Sequence, residues 1–248
     1  DPCHLSRTSI VVVGAEGAGK GAVADRIGDL LGPYYVTLSR MEHVVAKFNA
    51  HLVGKLLVYA NEALWGGDKH SLGALKAVIT DKWCAVERKG FDGARSRNVA
   101  RVFVNSNESW AVPQGLEDRR FFFLECSARR VGDRAYFDRL YAEAASPAGL
   151  AAILYDLLSE DLSEWNAVRI PSEETPAWKN KIESSHPVHK WWWSILEDGF
   201  HLGEDGEETD EWCVNVPIQA LHDRFCEAAR KSGARSCSED SFGKQIRM

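Results

Sequence analysis

The chain has 248 residues, 45% of them hydrophobic and 27% charged, with a formal net charge of −6. This is an ordinary soluble globular composition, enough for one medium domain with a small appendage or for two modest domains. No apolar run approaches the ~20 residues needed to cross a bilayer, and no basic-then-apolar leader precedes the first strand, so no membrane partner is expected. The negative total argues against a protein that coats a large phosphate surface, but it leaves room for positive charge confined to one narrow region. Six cysteines, at positions 3, 84, 126, 213, 226 and 237, form no C-x-x-C pair and suit reduced thiols in a cytoplasmic protein. His186, His189, Cys213 and Cys226 are the conceivable zinc set, at a spacing that fits no standard finger. The abrupt start at Asp1, shortly before a strand, suggests a piece of a longer polypeptide.

In chain order, the β-branched run at 9–13 predicts a buried parallel strand, and a glycine-rich loop follows it at once. From Lys20 to Leu31 the apolar residues Val23, Ile27, Leu30 and Leu31 share one helix face, and Gly32-Pro33 stops that helix. Residues 41–52 read as a helix, 56–60 as a second strand and 70–80 as a helix. Strands at 99–104 and 121–125 follow, then helices at about 134–145 and 149–162. Short apolar strands alternating with amphipathic helices predict an α/β fold with a mainly parallel sheet over residues 1–165. A proline-bearing stretch, 166–187, reads as linker, and 188–248 as a small helical domain. In that domain helices are expected at about 188–197, 217–232 and from 238, with a solvated acidic loop at 203–211. Trp191-Trp192-Trp193 is expected to pack the small domain rather than to form a stacking platform, because a helix sends adjacent residues to different faces.

Gly14-Ala15-Glu16-Gly17-Ala18-Gly19-Lys20 satisfies G-x-x-x-x-G-K. Its glycines let successive backbone N–H groups turn toward phosphate oxygens, Lys20 reaches the β- and γ-phosphates, and the following helix offers its positive end. The bare pattern arises by chance in roughly one chain in ten to twenty of this length. Its place between a buried strand and a helix carries the specificity. The next residue is Gly21, where a Ser or Thr hydroxyl ordinarily meets Mg²⁺.

The strand at 56–60 ends in Asn61-Glu62. A carboxylate at such a strand end polarises the attacking water, which makes Glu62 the candidate general base and a metal-side group. Asn61 stands where a second, metal-side acid is usual and can act only through a metal-bound water. The strand at 99–104 leads to Asn105-Ser106-Asn107, where Asn107, with Asn105 second, is the candidate to hold the lytic water and sense the γ-phosphate. Arg119 and Arg120 follow Asp118, and one of them is the candidate to reach a neighbour's nucleotide across a subunit interface. A salt bridge to Glu117 or Asp118 is the plainer role for either.

In this order the motifs resemble a superfamily 3 helicase of the phage and plasmid primase–helicase type, similar to the poxvirus-like group. The matching residues are Gly14 to Gly21, Phe48-Asn49, Leu57 to Ala63, Leu75-Lys76, Glu87 to Gly90, Asn105 to Trp110 and Asp118 to Phe121. The tail resembles the family more loosely, through Val216-Pro217, Phe225 and Phe242. The resemblance implies a P-loop NTPase core of modified AAA+ type and a C-terminal winged-helix-like unit. It further implies ATP and Mg²⁺ as cofactors, a homo-oligomer that is a hexameric ring, and 3′→5′ movement on single-stranded DNA. A primase domain fused upstream is implied as well. Within this acidic chain, Lys76 to Arg101 is basic. Family members carry a channel hairpin there, which makes Lys89 and Phe91 the candidate phosphate and base contacts, supported by Lys82 and Arg88. Two other functions fit parts of the pattern. A small-molecule P-loop kinase explains the loop but not the basic segment. A nucleotide-binding DNA-loading or assembly module with weak turnover explains Gly21 and Asn61.

Overall fold

The computed structural model describes residues 5–39, 43, 49–61, 69–86, 94–108, 112, 118–170, 181–182, 185–198, 201–202, 208–209 and 215–246. The chain divides into two compact units, with the boundary between residues 180 and 181.

The first unit is a layered α/β structure. Its strands are β1 (Ser9–Val13), β2 (Tyr35–Leu38), β3 (Leu57–Ala60), β6 (Arg101–Ser106) and β7 (Phe121–Glu125), joined in the order β2-β3-β6-β1-β7. Every pairing in this sheet is parallel. Parallel neighbours need crossover connections, which here include α1 (Ala22–Leu31) and α2 (Lys69–Thr80). On one face Leu75 and Ile79 of α2 pack with Val11, Val13, Val58, Val104, Phe121 and Phe123. On the other, Ala24 of α1 packs with Tyr59 and Phe103. The helices α3 (Arg134–Ala144) and α4 (Pro147–Ser159) follow β7. Ser146 caps α4 by accepting from Gly149 N, with Pro147 at the first helical position.

Three features differ from the sequence expectation. Tyr35–Leu38 is an additional edge strand, too short to show an alternating pattern, with Tyr35 and Val36 half-buried, Thr37 exposed and Leu38 buried. Of the helix expected over 41–52, residue 43 is helical and the described end is a 3₁₀ turn at Ala50–Leu52, while most of that stretch lies outside the described residues. The strand expected at 99–104 runs from Arg101 to Ser106 instead. Asn98 delays its start by donating Nδ2 to Val78 O (2.7 Å) and Asp81 O (2.9 Å) while its Oδ1 accepts from Ala100 N. The shift matters, because Asn105 and Ser106 become ladder residues opposite Val12 and Val13, and Asn107 becomes the first residue beyond the strand.

Between α2 and β6 an antiparallel pair, β4 (Trp83–Val86) and β5 (Ala94–Arg97), forms a separate small sheet. Ala167, in the stretch expected to be linker, accepts from Thr8 Oγ1 at 2.9 Å, within the first unit.

The second unit contains α5 (Pro187–Asp198), α6 (Ile218–Ser232) and α7 (Glu239–Ile246) around Val188, Trp191, Phe225, Ala229 and Phe242. The Trp191 ring lies 5.8 Å from both Phe225 and Phe242, so this tryptophan is core, and Trp192 packs beside it. The acidic stretch expected as loop contributes β9 (Glu208–Thr209), which pairs antiparallel with β8 (His201–Leu202). Cys213 lies outside the described residues. His189 Nε2 meets Gln245 O at 2.9 Å, and among the described residues no group of three His, Cys, Asp or Glu is placed to hold a metal. No helix among the described residues is long and apolar enough to cross a membrane.

Candidate functional site

Because the five strands of the main sheet run parallel, their C-terminal ends share one edge. Val13, Ala60, Ser106 and Glu125 hand the chain there to Gly14, Asn61, Asn107 and Cys126. Ligand sites of open parallel sheets form at this edge.

The glycine loop is built tightly against the chain beyond β7. A Cβ on Gly14 would stand 2.8 Å from Cys126 O, and one on Gly19 would stand 2.7 Å from Phe137 Cε1 on α3. Gly14 and Gly19 also take positive φ values of 152° and 84°, so both positions are closed to other residues on two counts. Cys126 Sγ donates to Ala18 O at 3.2 Å, and Cys126 N to Val13 O at 2.7 Å. The loop is thereby clamped from behind, with α1 beginning just past it at Ala22.

Lys20 is buried at 8% exposure. Its Nζ donates to Gly14 O (2.9 Å), Ala15 O (2.8 Å) and Asn107 Oδ1 (2.6 Å). Two residues 87 positions apart, both singled out from the sequence, thus meet in one polar cluster. Ser106 Oγ accepts from Glu108 N at 3.0 Å and fixes the turn that presents Asn107. Asn105, the second choice at this tip, is instead buried within the ladder.

Position 21 has a close neighbour that the sequence did not reveal. A Cβ on Gly21 would lie 2.7 Å from the Tyr59 hydroxyl and 3.7 Å from Asp25 Oδ2. Tyr59 Oη donates to Asn61 Oδ1 at 3.0 Å, and Asn61 N donates to Leu38 O at 2.8 Å. Tyr35 Oη donates to Asp25 Oδ1 at 3.3 Å, and burial, reinforced by Asp25, pushes the Tyr35 phenol above its ordinary range and keeps it a proton donor. Magnesium takes oxygen ligands and retains several waters, so it asks for few protein oxygens. The hydroxyl of Tyr59 and the carboxylate of Asp25 beside Gly21, with the amide oxygen of Asn61 behind, fit that requirement by donor chemistry. Glu62 lies outside the described residues.

Arg119 and Arg120 stand at the opposite edge of the sheet. Arg120 O accepts from Ser9 N at 2.7 Å, at the start of β1. Asp118 is buried and bonded to Lys76 Nζ (2.6 Å), to Arg120 Nη1 (3.3 Å) and to Arg120 N (3.0 Å). Burial pushes its carboxyl upward, but the hydrogen bonds and charges of Lys76 and Arg120 outweigh it and hold Asp118 below its ordinary range. Arg120 is therefore engaged within its own subunit, while Arg119 is exposed.

The β4–β5 pair carries a basic, aromatic face. Register places Trp83 opposite Arg97 and Ala85 opposite Arg95, so all four side chains share one side. Trp83 is 43% exposed, with the Arg95 guanidinium 4.9 Å from its ring centroid, and Lys82 is exposed at its base. Asn49 Nδ2 donates to Ala85 O at 2.7 Å and braces the pair. Arg88, Lys89 and Phe91 lie outside the described residues. Lys76, also in the basic segment, is committed to Asp118.

Sequence reasoning missed Tyr59, Cys126, Phe137 and Trp83. Cys126 and Phe137 join the loop only through the β1–β7 neighbourship, which no local pattern encodes. Trp83 carried a usable signal, an aromatic residue between cations in a basic segment.

A protein family described as "Family of unknown function (DUF5906)" matches residues 12–120. Over 129 residues, 50% of this chain, the sequence is 28% identical to the DNA primase-polymerase of Nitratiruptor phage NrS-1. Only 18% of that relative's length is covered. Among solved structures, two apo structures of the NrS-1 C-terminal region resemble the chain with TM-scores of 0.58 and 0.59 at 20% identity. Each covers 78% of this chain, while this chain spans about half of each, 50% and 49%. At that identity the likeness is one of fold, and the chain is similar in sequence to a phage DNA primase-polymerase over about half of its length.

Proposed function

We propose that the chain is the ATP-hydrolysing motor of a phage replication protein, a P-loop NTPase of AAA+ type that moves on single-stranded DNA. The observation that carries this is the Lys20 cluster. A buried ammonium is held by loop carbonyls and by the strand-tip Asn107, at the C-terminal edge of a parallel sheet. A triphosphate entering the loop exchanges those carbonyls for phosphate oxygens, with Lys20 at the β- and γ-phosphates. Asn107, already beside that lysine, orients the attacking water, and Glu62 removes its proton. Magnesium, when bound, neutralises charge on the β- and γ-oxygens.

Arg119 cannot serve its own subunit's loop. It precedes β7 at the start of the sheet, and a five-residue strand rising roughly 3.3 Å per residue separates it from the loop edge by about 16 Å. It therefore serves a neighbouring copy, and the working form is a homo-oligomer, which we take to be a hexamer. Exposed Leu154, Tyr155, Leu157 and Leu158 on α4 support association, since a helix apolar around its circumference is ordinarily covered. The Trp83 face, with Arg95, Arg97 and Lys82, suits a single strand, by base stacking beside backbone cations. Similarity to a phage primase-polymerase supports a primase domain upstream and a role in DNA replication. A small-molecule kinase leaves this basic face and the far-edge Arg119 without a task.

The test is ATP hydrolysis by the assembled protein with and without single-stranded DNA. DNA-stimulated turnover that Lys20→Ala removes is the expected result. ATP turnover indifferent to DNA, with phosphate passed to a small acceptor, would replace the motor by a kinase.

A further inference from the structure

Position 21 follows the loop lysine directly, where a Ser or Thr hydroxyl ordinarily meets magnesium, and Gly21 offers no oxygen there. The structure puts another hydroxyl at that place. Tyr59 Oη lies 2.7 Å from where a Cβ on residue 21 would be, closer than real Cβ contacts come. A serine at 21 and a tyrosine at 59 thus exclude each other in this geometry. The ring carbon bearing the hydroxyl, Tyr59 Cζ, is 3.7 Å from the same point, an ordinary contact. Only the oxygen of Tyr59 forbids the side chain at 21.

Tyr59 has little freedom to withdraw. It is 2% exposed, its ring meets Phe103 edge-on at 5.7 Å and stacks near Tyr35 at 6.4 Å, and its hydroxyl is bonded to Asn61 Oδ1. A phenol that gives its proton to an amide oxygen keeps acceptor lone pairs, the property that Ser or Thr brings to this position. Asn61 then has a function of its own where a metal-side acid is usual: a neutral acceptor anchors the phenol without adding a second negative charge.

We infer that the Tyr59 hydroxyl, anchored by Asn61, is the magnesium-side oxygen of this site and replaces the missing Ser or Thr at position 21. This rests on the nucleotide site proposed above. The oxygen has moved from the loop to the neighbouring strand β3, and Gly21 is the vacancy that admits it.

The test is calorimetric titration of ADP into the protein in excess magnesium and in EDTA. Wild-type protein should bind ADP more tightly with magnesium. Tyr59→Phe should lower that magnesium-dependent gain about tenfold, as loss of an outer ligand does, and leave the affinity in EDTA unchanged. Gly21→Ser alone should weaken binding in both conditions, through the clash. Gly21→Ser combined with Tyr59→Phe should restore the magnesium gain, because the ring leaves room for the serine hydroxyl. Tyr59→Phe with the full wild-type magnesium gain would overturn the inference and leave the nucleotide site standing. Equal loss with and without magnesium, unrescued by the double variant, would reduce Tyr59 to a packing role. No ADP binding by the wild-type protein in either condition would remove the nucleotide site and this inference together.

Discussion

Lys20 and Lys76 are held at opposite edges of the same parallel sheet, and they are held differently. Lys76 meets the buried carboxylate of Asp118 at 2.6 Å, so its charge is compensated inside the fold. The partners of Lys20 among the described residues are two backbone carbonyls and the amide oxygen of Asn107, all neutral. Neutral acceptors fix the direction of an ammonium without cancelling its charge, and an anion that arrives there gains the full attraction. A carboxylate partner does the reverse and turns the cation into a structural brace. Identical side chains thus differ by the charge of what holds them, compensated at Lys76 and uncompensated at Lys20.

The largest effect should come from breaking the functional side. Lys20→Ala is expected to reduce ATP turnover to background, because it removes the cation at the β- and γ-phosphates. Its melting temperature should stay near that of the wild type. Arg119→Ala should lower turnover by roughly 10³-fold, since fingers supplied in trans contribute that much or more. Mixing it with an excess of Lys20→Ala should recover activity in hybrid rings, an outcome that a finger acting within its own subunit could not produce.

On the structural side, Asp118→Asn should cost about 2 kcal/mol in chemical denaturation, by weakening hydrogen bonds to charged partners. Asp118 is held below its ordinary value of 3.8, so its stabilisation is present at neutral pH and is lost as pH falls through the lowered folded value. Wild-type stability should therefore drop on acidification below about pH 4, more steeply than that of Asp118→Asn. The smallest effect belongs to the exposed hairpin. Trp83→Ala should weaken single-stranded DNA binding by about 1–2 kcal/mol with little change in melting temperature. Unchanged DNA affinity would remove this face from the strand's path.

The sequence showed the loop, the strand before it and the helix after it, because glycine spacing and apolar periodicity are local signals. It also pointed to Asn107, although what brings that amide beside Lys20, a strand starting at Arg101 rather than residue 99, required the Asn98 turn. Tyr59 looked like one more apolar residue of a buried strand. Its hydroxyl acquires meaning only through its distance to Gly21, 38 positions earlier in the chain, where the sequence showed only a missing oxygen. The same limit hid Cys126 and Phe137 behind the loop. Arg119 and Arg120 were equivalent in sequence, and the Asp118 carboxylate separates them by engaging only Arg120.

Calorimetric titration of ADP with magnesium into wild-type protein, Lys20→Ala and Lys76→Ala, with thermal melts of each, sets binding against stability. Lys20→Ala should lose ADP binding and keep its melting temperature, while Lys76→Ala should melt lower and bind ADP as the wild type does. ADP binding by Lys20→Ala at wild-type affinity would contradict the nucleotide site proposed around Lys20.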